Sequence, residues 1–535
     1  MSADHKEREV LLMKKLVSLL LCLLMCTSLL GPAALAKEVE IVYDGTPFAP
    51  ITSEPVTLTV LSSASGSKQS DYETMKWFHL ALENTNVTLE VELVDFSSYD
   101  EVMSTRLAAG IDLPDIIWVS TKDPDGTYSN AGLFKPLNEY DAKYGINSKK
   151  IFERYNTLRG SCTSADGTQY YMPYYQLATE HAVNFSYNVK LFEDYQIPVP
   201  TTTDELYETL KALKAVGDWN GNGKADEVPL YFRRPDGAEF KQMASFWGLD
   251  LVSGYKANEE GIVKCGFVQP EYKEYLLFCR KLIEEGLLNE DYSTGSWDQC
   301  FARWTNNSVG MQFDWTSNIS ELELAMCPDY NFRTDDPVIA VLPPLTGPYG
   351  DDCYMGRDPA GKVFAITSSC EYPEVAYCVM DYLLNDEVVD MTWLGVEGVD
   401  YTKDAEGTLT FTDEYYTNKD NYRDRNGYNA EMLPGGQSLY GYGLAANNAK
   451  SVAQWLKNAE KTVLPLGFTY LEEEYNDIMS TYQVDLNTYI DESLAAFVLG
   501  IRDIESEWDS YVEDCYNLGL EQMEKVYQAR YDKTK

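Results

Sequence analysis

Two residue periods alternate between positions 56 and 119, and that alternation constrains the fold more than any other feature of the chain. Val56-Thr57-Leu58-Thr59-Val60-Leu61 and Thr88-Leu89-Glu90-Val91-Glu92-Leu93-Val94 interleave apolar and polar residues with the period of a half-buried strand. Between them, Asp71 to Glu83 carries Met75, Phe78, Leu80 and Leu82 on one broad helical face. Tyr99 to Ala109 also reads as a helix, and Gly110 follows as a left-handed cap. Pro114-Asp115 then opens the short apolar strand Ile116-Ile117-Trp118-Val119. Strand, helix, strand, helix, strand predicts a parallel sheet. Ligands of such sheets sit beyond the carboxyl ends of the strands, where Trp118 and Ser120 fall.

The pattern recurs downstream. Gly132 to Leu137 reads as a turn into a surface segment, and Ala182 to Asn188 as a strand crossing between two bodies. Thr202 and Glu205 have capping-box spacing before a helix whose Leu206, Leu210 and Leu213 share one face. Val228 to Phe232 and Val309 to Trp315 are strands, with the helix Tyr272 to Glu285, closed by Gly286, between them. Val338 to Leu342 with Pro343-Pro344 reads as a second crossing, and Val363 to Ile366 as a strand of the first body regained. Pro373 opens the next helix, whose buried stripe is Val375, Val379, Tyr382 and Leu383. From Asp386 the chain reads as mostly helical, with loops around 401–440 and helices at Leu494–Leu499 and Trp508–Tyr527. A chain of 535 residues exceeds one ordinary core. The expected division is an α/β lobe of 56–183 with 343–385, and a second lobe of 184–342 with 386–535.

The amino terminus reads as a targeting segment. Met13-Lys14-Lys15 precedes the apolar run Leu16 to Leu30, and Ala34-Leu35-Ala36 fits a secretory cleavage site. Residues 1–36 are therefore expected to be a signal peptide and 37–55 a leader, with the protein exported to the periplasm, cell surface or medium. Leu21 and Met25 precede Cys22 and Cys26, where lipid attachment normally needs a small residue, so an anchor is not expected. A net charge of −42 argues against nucleic acid and anionic membranes as partners. Nine further cysteines cannot all pair, and none forms a C-x-x-C metal pair. Free thiols in an exported chain point to an anoxic habitat or to buried, inert positions; one or two disulfides stay open.

The strongest local motif is Asp218-Trp219-Asn220-Gly221-Asn222-Gly223-Lys224-Ala225-Asp226-Glu227. Oxygen-bearing side chains stand at positions 1, 3, 5 and 9 and glycine at 6, the spacing of an EF-hand-type calcium loop. Position 12 is Pro229 rather than glutamate, so Glu227 would have to substitute, and Lys224 would offer its carbonyl. A metal-free Asn-Gly turn between helix and strand is the alternative.

With this loop the chain resembles the oligosaccharide-binding members of extracellular solute-binding protein family 1, the substrate-binding proteins of ABC transporters. Gly110-Ile111-Asp112-Leu113-Pro114-Asp115-Ile116, Gly132-Leu133-Phe134-Lys135-Pro136-Leu137, Ser308-Val309-Gly310-Met311 before Trp315, and Trp393-Leu394-Gly395-Val396-Glu397-Gly398-Val399-Asp400-Tyr401 resemble its segments in order. The resemblance spans residues 56 to 401. It implies a two-lobed periplasmic-binding-protein-like fold of type II, hinged around a ligand cleft, in a monomer that hands its ligand to ABC permease subunits. It also implies Ca2+ in a structural role, held by Asp218, Asn220, Asn222, Lys224 (carbonyl), Asp226 and Glu227. The high cysteine count and the missing lipid-attachment pattern depart from the family.

The chain contains 40 Tyr and 10 Trp. Sugar clefts set aromatic faces against the C–H face of a pyranose, with polar groups on the hydroxyls. Trp118, Trp247, Trp315 and Trp393 are the candidate faces, with Glu397, Tyr401 and Arg357 as polar partners. Trp118 and Trp315 stand out because both follow strand ends, where the family places ligand contacts. Core packing is the competing role for any one tryptophan, and a structural salt bridge for Arg357. With 43 Lys and Arg against 85 Asp and Glu, a neutral ligand is favoured over an anionic one; a peptide or polyol stays open. The enzyme alternative is a secreted glycoside hydrolase with paired carboxylates. No G-x-S-x-G, H-E-x-x-H or Walker sequence occurs, and His79 and His181 read as structural. An adhesin or sensor without an importer is the third reading.

Overall fold

The computed structural model describes residues 38–64, 76–119, 127–175, 183–233, 238–289, 291–292, 294–331, 335–358, 360–403, 409–414, 433–438 and 449–534. The segment read as a signal peptide, with Ser120 and His181, lies outside them. Numbered along the chain, the strands are β1 (Val56–Ala64), β2 (Val87–Asp95), β3 (Ile116–Val119), β4 (Tyr171–Tyr175), β5 (Val183–Asn188), β6 (Val228–Tyr231), β7 (Tyr255–Ala257), β8 (Val263–Cys265), β9 (Val309–Trp315), β10 (Ile339–Val341), β11 (Tyr354–Met355), β12 (Ala360–Ile366), β13 (Tyr401–Lys403), β14 (Leu409–Phe411), β15 (Gly435–Gly436) and β16 (Thr462–Val463).

The alternation over 56–119 becomes a parallel core: β1 pairs with β2 and β3 in parallel. The full sheet has the order β15-β4-β12-β3-β1-β2, with β12 antiparallel to both neighbours. The second sheet has the order β10-β5-β9-β6. There β6 runs parallel to β9, and β5 is antiparallel to β9 and β10. Each sheet has its own apolar core, and this makes the molecule two-lobed.

The connections decide how the lobes face each other. The first crossing leaves the carboxyl end of β4 at Tyr175 and enters β5 at Val183, which pairs with Trp315 at the carboxyl end of β9. The second leaves the carboxyl end of β10 and reaches the amino end of β12, which lies beside the carboxyl end of β3. Both therefore join the carboxyl edge of one sheet to that of the other. Between them β11 pairs with β16, a strand from a third passage of the chain.

Local signals explain most elements. The helix Tyr99–Ala109 ends where Gly110 takes φ 63°. Gly310 admits no side chain: a Cβ there would lie 2.9 Å from Leu213 Cδ1 and 3.0 Å from the Pro229 carbonyl oxygen. The helix Thr203–Val216 is capped by Thr202, which accepts from Glu205 N at 3.1 Å. The box is only half formed, because the Glu205 carboxylate takes Thr201 N and Oγ1 instead.

Three readings are revised. Phe134 and Leu137 are buried in the first core, not on the surface, since Phe134 bridges to Thr367 beside β12. The helix Asp386–Leu394 belongs to the first lobe: Val388, Val389, Met391 and Trp393 join its core, and Gly435 and Gly436 add a strand beside β4. The chain thus passes to the second lobe later than residue 386. The stretch 508–527 is two helices, Ile504–Asn517 and Leu520–Lys533, divided by Gly519 at φ 97°. The leader, from residue 38, docks on the first lobe, where Tyr43 Oη donates to buried Asp381 at 2.7 Å. All nine described cysteines are free thiols, with Cys327 exposed, Cys353 half-buried and the rest buried. Burial drives the Cys265, Cys279 and Cys300 thiols well up, which keeps them protonated and inert.

Candidate functional site: facing strand ends and an asparagine-rich loop

Because both crossings join carboxyl edges, the side chains at those edges face a common cleft. On the first lobe, β3 delivers Trp118 to this edge. The indole is only 6% exposed. Tyr99 stacks on it with ring centroids 4.6 Å apart, and Tyr99 Oη donates to the Trp118 carbonyl at 2.6 Å. Phe96, one residue beyond β2, also stacks on Trp118 at 6.4 Å and 23°. Phe96 remains 59% exposed. Lys362 completes the group, with Nζ 5.1 Å from the centre of the Trp118 ring. The pairing explains it: Phe364 opposes Trp118, so Lys362, two residues earlier on β12, shares that face of the sheet.

On the second lobe, Trp315 is the last residue of β9 and is half-buried. The Arg357 guanidinium, from the second crossing, lies 5.3 Å from its ring centre. Asp314 is buried and meets Arg233, two residues beyond β6, in a two-pronged ion pair of 2.5 and 3.0 Å. Arg233 also stands over Trp297 at 5.5 Å. A large concavity of the first lobe runs along β2 from Asn86 to Leu93, beside Phe78 and Leu82 of the helix Lys76–Leu82.

Two of the other candidates are buried in the cores. Trp247 is 4% exposed and packed between Tyr275 and Phe278, each 4.9 Å away, within the second core. Trp393 is 1% exposed, and its Nε1 donates to the Gly436 carbonyl at 3.0 Å in the first core. Both are core residues, because each indole is used up by packing. Glu397 and Tyr401 bridge within a tight turn, where Gly398 N donates to the Tyr401 carbonyl at 2.7 Å and the Tyr401 ring packs on Phe411. Phe96 was missed from the sequence, although its place just past an alternating strand, at the same carboxyl edge as Trp118, was a usable signal.

The loop 218–227 lies between the helix Thr203–Val216 and β6, at the amino edge of the second sheet and so away from the cleft. Its oxygens turn inward onto backbone N–H groups. Asp218 accepts from Asn222 N (3.0 Å) and Gly223 N (2.8 Å), and Asn222 Oδ1 from Lys224 N (2.7 Å). Asn222 Nδ2 donates to Asp226 at 3.0 Å. Gly221 and Gly223 take positive φ, which lets the loop fold this tightly. Trp219 Nε1 and Asn220 Nδ2 tie it to the carbonyls of Asn307 and Asn306, just before β9. Glu227 Oε1 is buried without a hydrogen-bond partner. An oxygen-only donor set with one unmatched buried carboxylate oxygen suits a hard cation. Among the described residues no three His, Cys, Asp or Glu side chains stand close enough to hold a metal; any ion here would therefore rely on asparagine and carbonyl oxygens as well.

Comparison with known proteins agrees with this architecture. The family model described as bacterial extracellular solute-binding protein matches residues 67–390. The fructooligosaccharide ABC transporter substrate-binding protein FusA of Streptococcus pneumoniae serotype 4 is 24% identical over 479 residues, covering 82% of this chain and 83% of FusA. An extracellular solute-binding protein from Bifidobacterium longum subsp. infantis superposes with a TM-score of 0.69 at 20% identity, over 90% of this chain and 98% of that one. The S. pneumoniae FusA EF-hand mutant in complex with fructo-nystose gives 0.63 at 22% identity, over 89% of this chain and 99% of that one. Among the described residues, no helix is long and apolar enough to cross a membrane.

Proposed function

The chain belongs to the bacterial extracellular solute-binding protein family, and from that premise we propose that it is the receptor of an ABC importer, capturing an oligosaccharide by closing its lobes without chemical change to it. The observation that carries this reading is the facing of two carboxyl edges, each with an aromatic: Phe96 on Trp118 in one lobe and Trp315 in the other. Aromatic faces supply apolar contact to the C–H faces of sugar rings. A ligand that touches both edges binds the closed form better than the open one, and this differential affinity drives closure.

Several features of the chain support the rest of the reading. Asp314, the buried carboxylate at the second edge, is committed to Arg233 rather than placed for acid–base work. Ca2+ at the 218–227 loop is structural, with Asp218, Asn220, Asn222, Asp226, Glu227 and the Lys224 carbonyl as its oxygens; one solved structure of the similar protein FusA is described as an EF-hand mutant. The permease subunits are the expected partners, and the protein works outside the cytoplasmic membrane.

A thermal-shift panel of oligosaccharides on the purified protein tests the reading. Binding raises the melting temperature by mass action, with about 2.7 kcal/mol expected at a hundredfold excess over Kd. Release of shorter sugars from the panel, with no upward shift, overturns it.

A further inference from the structure

The helix Leu520–Lys533 is fixed in the second lobe over most of its length. Leu520, Met523 and Tyr527 lie in that lobe's core. Glu524 accepts from Lys264 Nζ and Cys265 N at 2.9 and 3.1 Å, and Gln528 Oε1 accepts from Val263 N at 2.7 Å. The last turn reaches beyond this lobe. The Arg530 guanidinium lies 5.5 Å from the ring centre of Phe468, and Lys533 Nζ donates to the Ala165 carbonyl at 3.1 Å.

Both of those partners sit on the first lobe. Ala165 is in the turn that leads into β4. Phe468 and Tyr470 pack with the first core, and Tyr470 stacks on Tyr171 with ring centroids 6.2 Å apart. A Cβ on Gly160 would lie 3.0 Å from the Phe468 carbonyl oxygen, so this stretch is seated closely on its lobe. Both β3 and β4 are antiparallel to β12, so the amino end of β4 marks the edge away from the cleft. The Ala165 contact is therefore made on the far side of the crossings. Closing the cleft turns the lobes about the crossings, and points on the far side then move apart. We propose that Arg530 and Lys533 form a latch between the lobes that holds the cleft open, so that the carboxyl-terminal helix sets ligand affinity without touching the ligand.

The latch is weak enough for a ligand to break. Arg530 is 8% exposed, and its Nε is buried without a hydrogen-bond partner, a cost that ends when the contact opens and water reaches the guanidinium. Its favourable contacts are the rings of Phe468 and Tyr527 and the Met479 sulfur at 3.3 Å. Glu472 pairs with the Lys533 ammonium at 3.0 Å, but both side chains are partly exposed and the pair adds little. A ligand that binds the closed form has to break these contacts, and its apparent affinity is reduced by the fraction of the protein that is closed. The inference rests on the receptor reading above and concerns the regulation of that cleft.

Calorimetric titration of the parent and of the double variant Arg530→Met, Lys533→Ala with kestose, maltotriose, xylotriose and trigalacturonate tests the latch. Every sugar that binds the parent is expected to bind the double variant about three- to tenfold tighter, and by the same factor for each, because the change lies in the balance of the lobes and not in a ligand contact. Lys533→Arg should keep the parent's affinity. A melting curve in the absence of sugar confirms folding. If the double variant does not fold, Lys533→Ala alone, at the partly exposed end of the helix, is expected to tighten every sugar about twofold. Unchanged or weaker binding in the folded variant, or a factor that differs from sugar to sugar, overturns the latch and leaves the receptor reading standing. If no sugar of the panel binds the parent, the receptor reading falls, and this inference with it.

Discussion

Asn458 Nδ2 donates to Asn184 Oδ1 at 2.7 Å, joining residues 274 positions apart at the base of the cleft. The same amide donates to the Leu342 carbonyl at 2.7 Å. Asn184 lies on the strand entered by the first crossing, Leu342 at the start of the second, and Asn458 on the helix Ala449–Glu460 of the third passage. One buried side chain therefore ties all three passages together. Replacing it with alanine leaves two buried acceptors without this donor. Asn458→Ala should cost about 1–3 kcal/mol, read as a lower urea midpoint; an unchanged midpoint would show that the tie is dispensable.

The tryptophans should divide into two classes. Trp247→Ala opens a cavity between Tyr275 and Phe278 and should cost about 3–5 kcal/mol in denaturant unfolding. Trp315→Ala removes a half-buried ring at a strand end, so its main effect should be lost sugar affinity with a smaller change in unfolding. Equal stability losses, with sugar binding intact in Trp315→Ala, would place Trp315 in the core class.

Calcium makes a separable prediction. Chelator should lower the melting temperature by several degrees, because an ion bound only to the folded state stabilises it by mass action. Asp218→Asn should melt lower than the parent and no longer respond to chelator. Sugar affinity should change little at saturating sugar, since the loop is at the edge away from the cleft. A melting curve indifferent to chelator in the parent protein rules out a stabilising ion.

Alkaline pH should unfold the protein through its buried acids. Burial pushes the Cys515 thiol up to about 11 and the Tyr382 phenol to about 12. Unfolding returns the thiol to its ordinary value of 9.0 and the phenol to 10.0. Above pH 9 the folded state thus holds more protons than the unfolded one, and stability falls as pH rises. The loss attributable to Cys515 should begin near pH 9 and be complete past about 11, seen as a falling urea midpoint that is shallower in Cys515→Ala. Stability constant from pH 8 to 11 would contradict the burial of these groups.

Local patterns were legible where one period or one cap decides the outcome. The alternation at 56–61 and 88–94, the cap at Gly110 and the leucine face at 206–213 all correspond to observed elements. Glu205 shows the limit: the spacing of a capping box is present, but Thr201 offers its carboxylate two donors at once. The place of the helix Asp386–Leu394 was not legible either, because an apolar helical face fits any core and only the partner surface tells which.

The same limit separates the candidate site residues. The amino-acid order determined the strand ends, and with them that Trp118 and Trp315 would stand at carboxyl edges, because period and polarity act over a few residues. It also determined the glycines and oxygens of the 218–227 loop. Only the tertiary structure decided that Trp247 and Trp393 are enclosed, that Phe96 is stacked yet open, and that Lys362 and Arg357 lie over two indoles. Burial and ring contact depend on strand register and on which distant segments meet, and those relations form only when the whole chain packs.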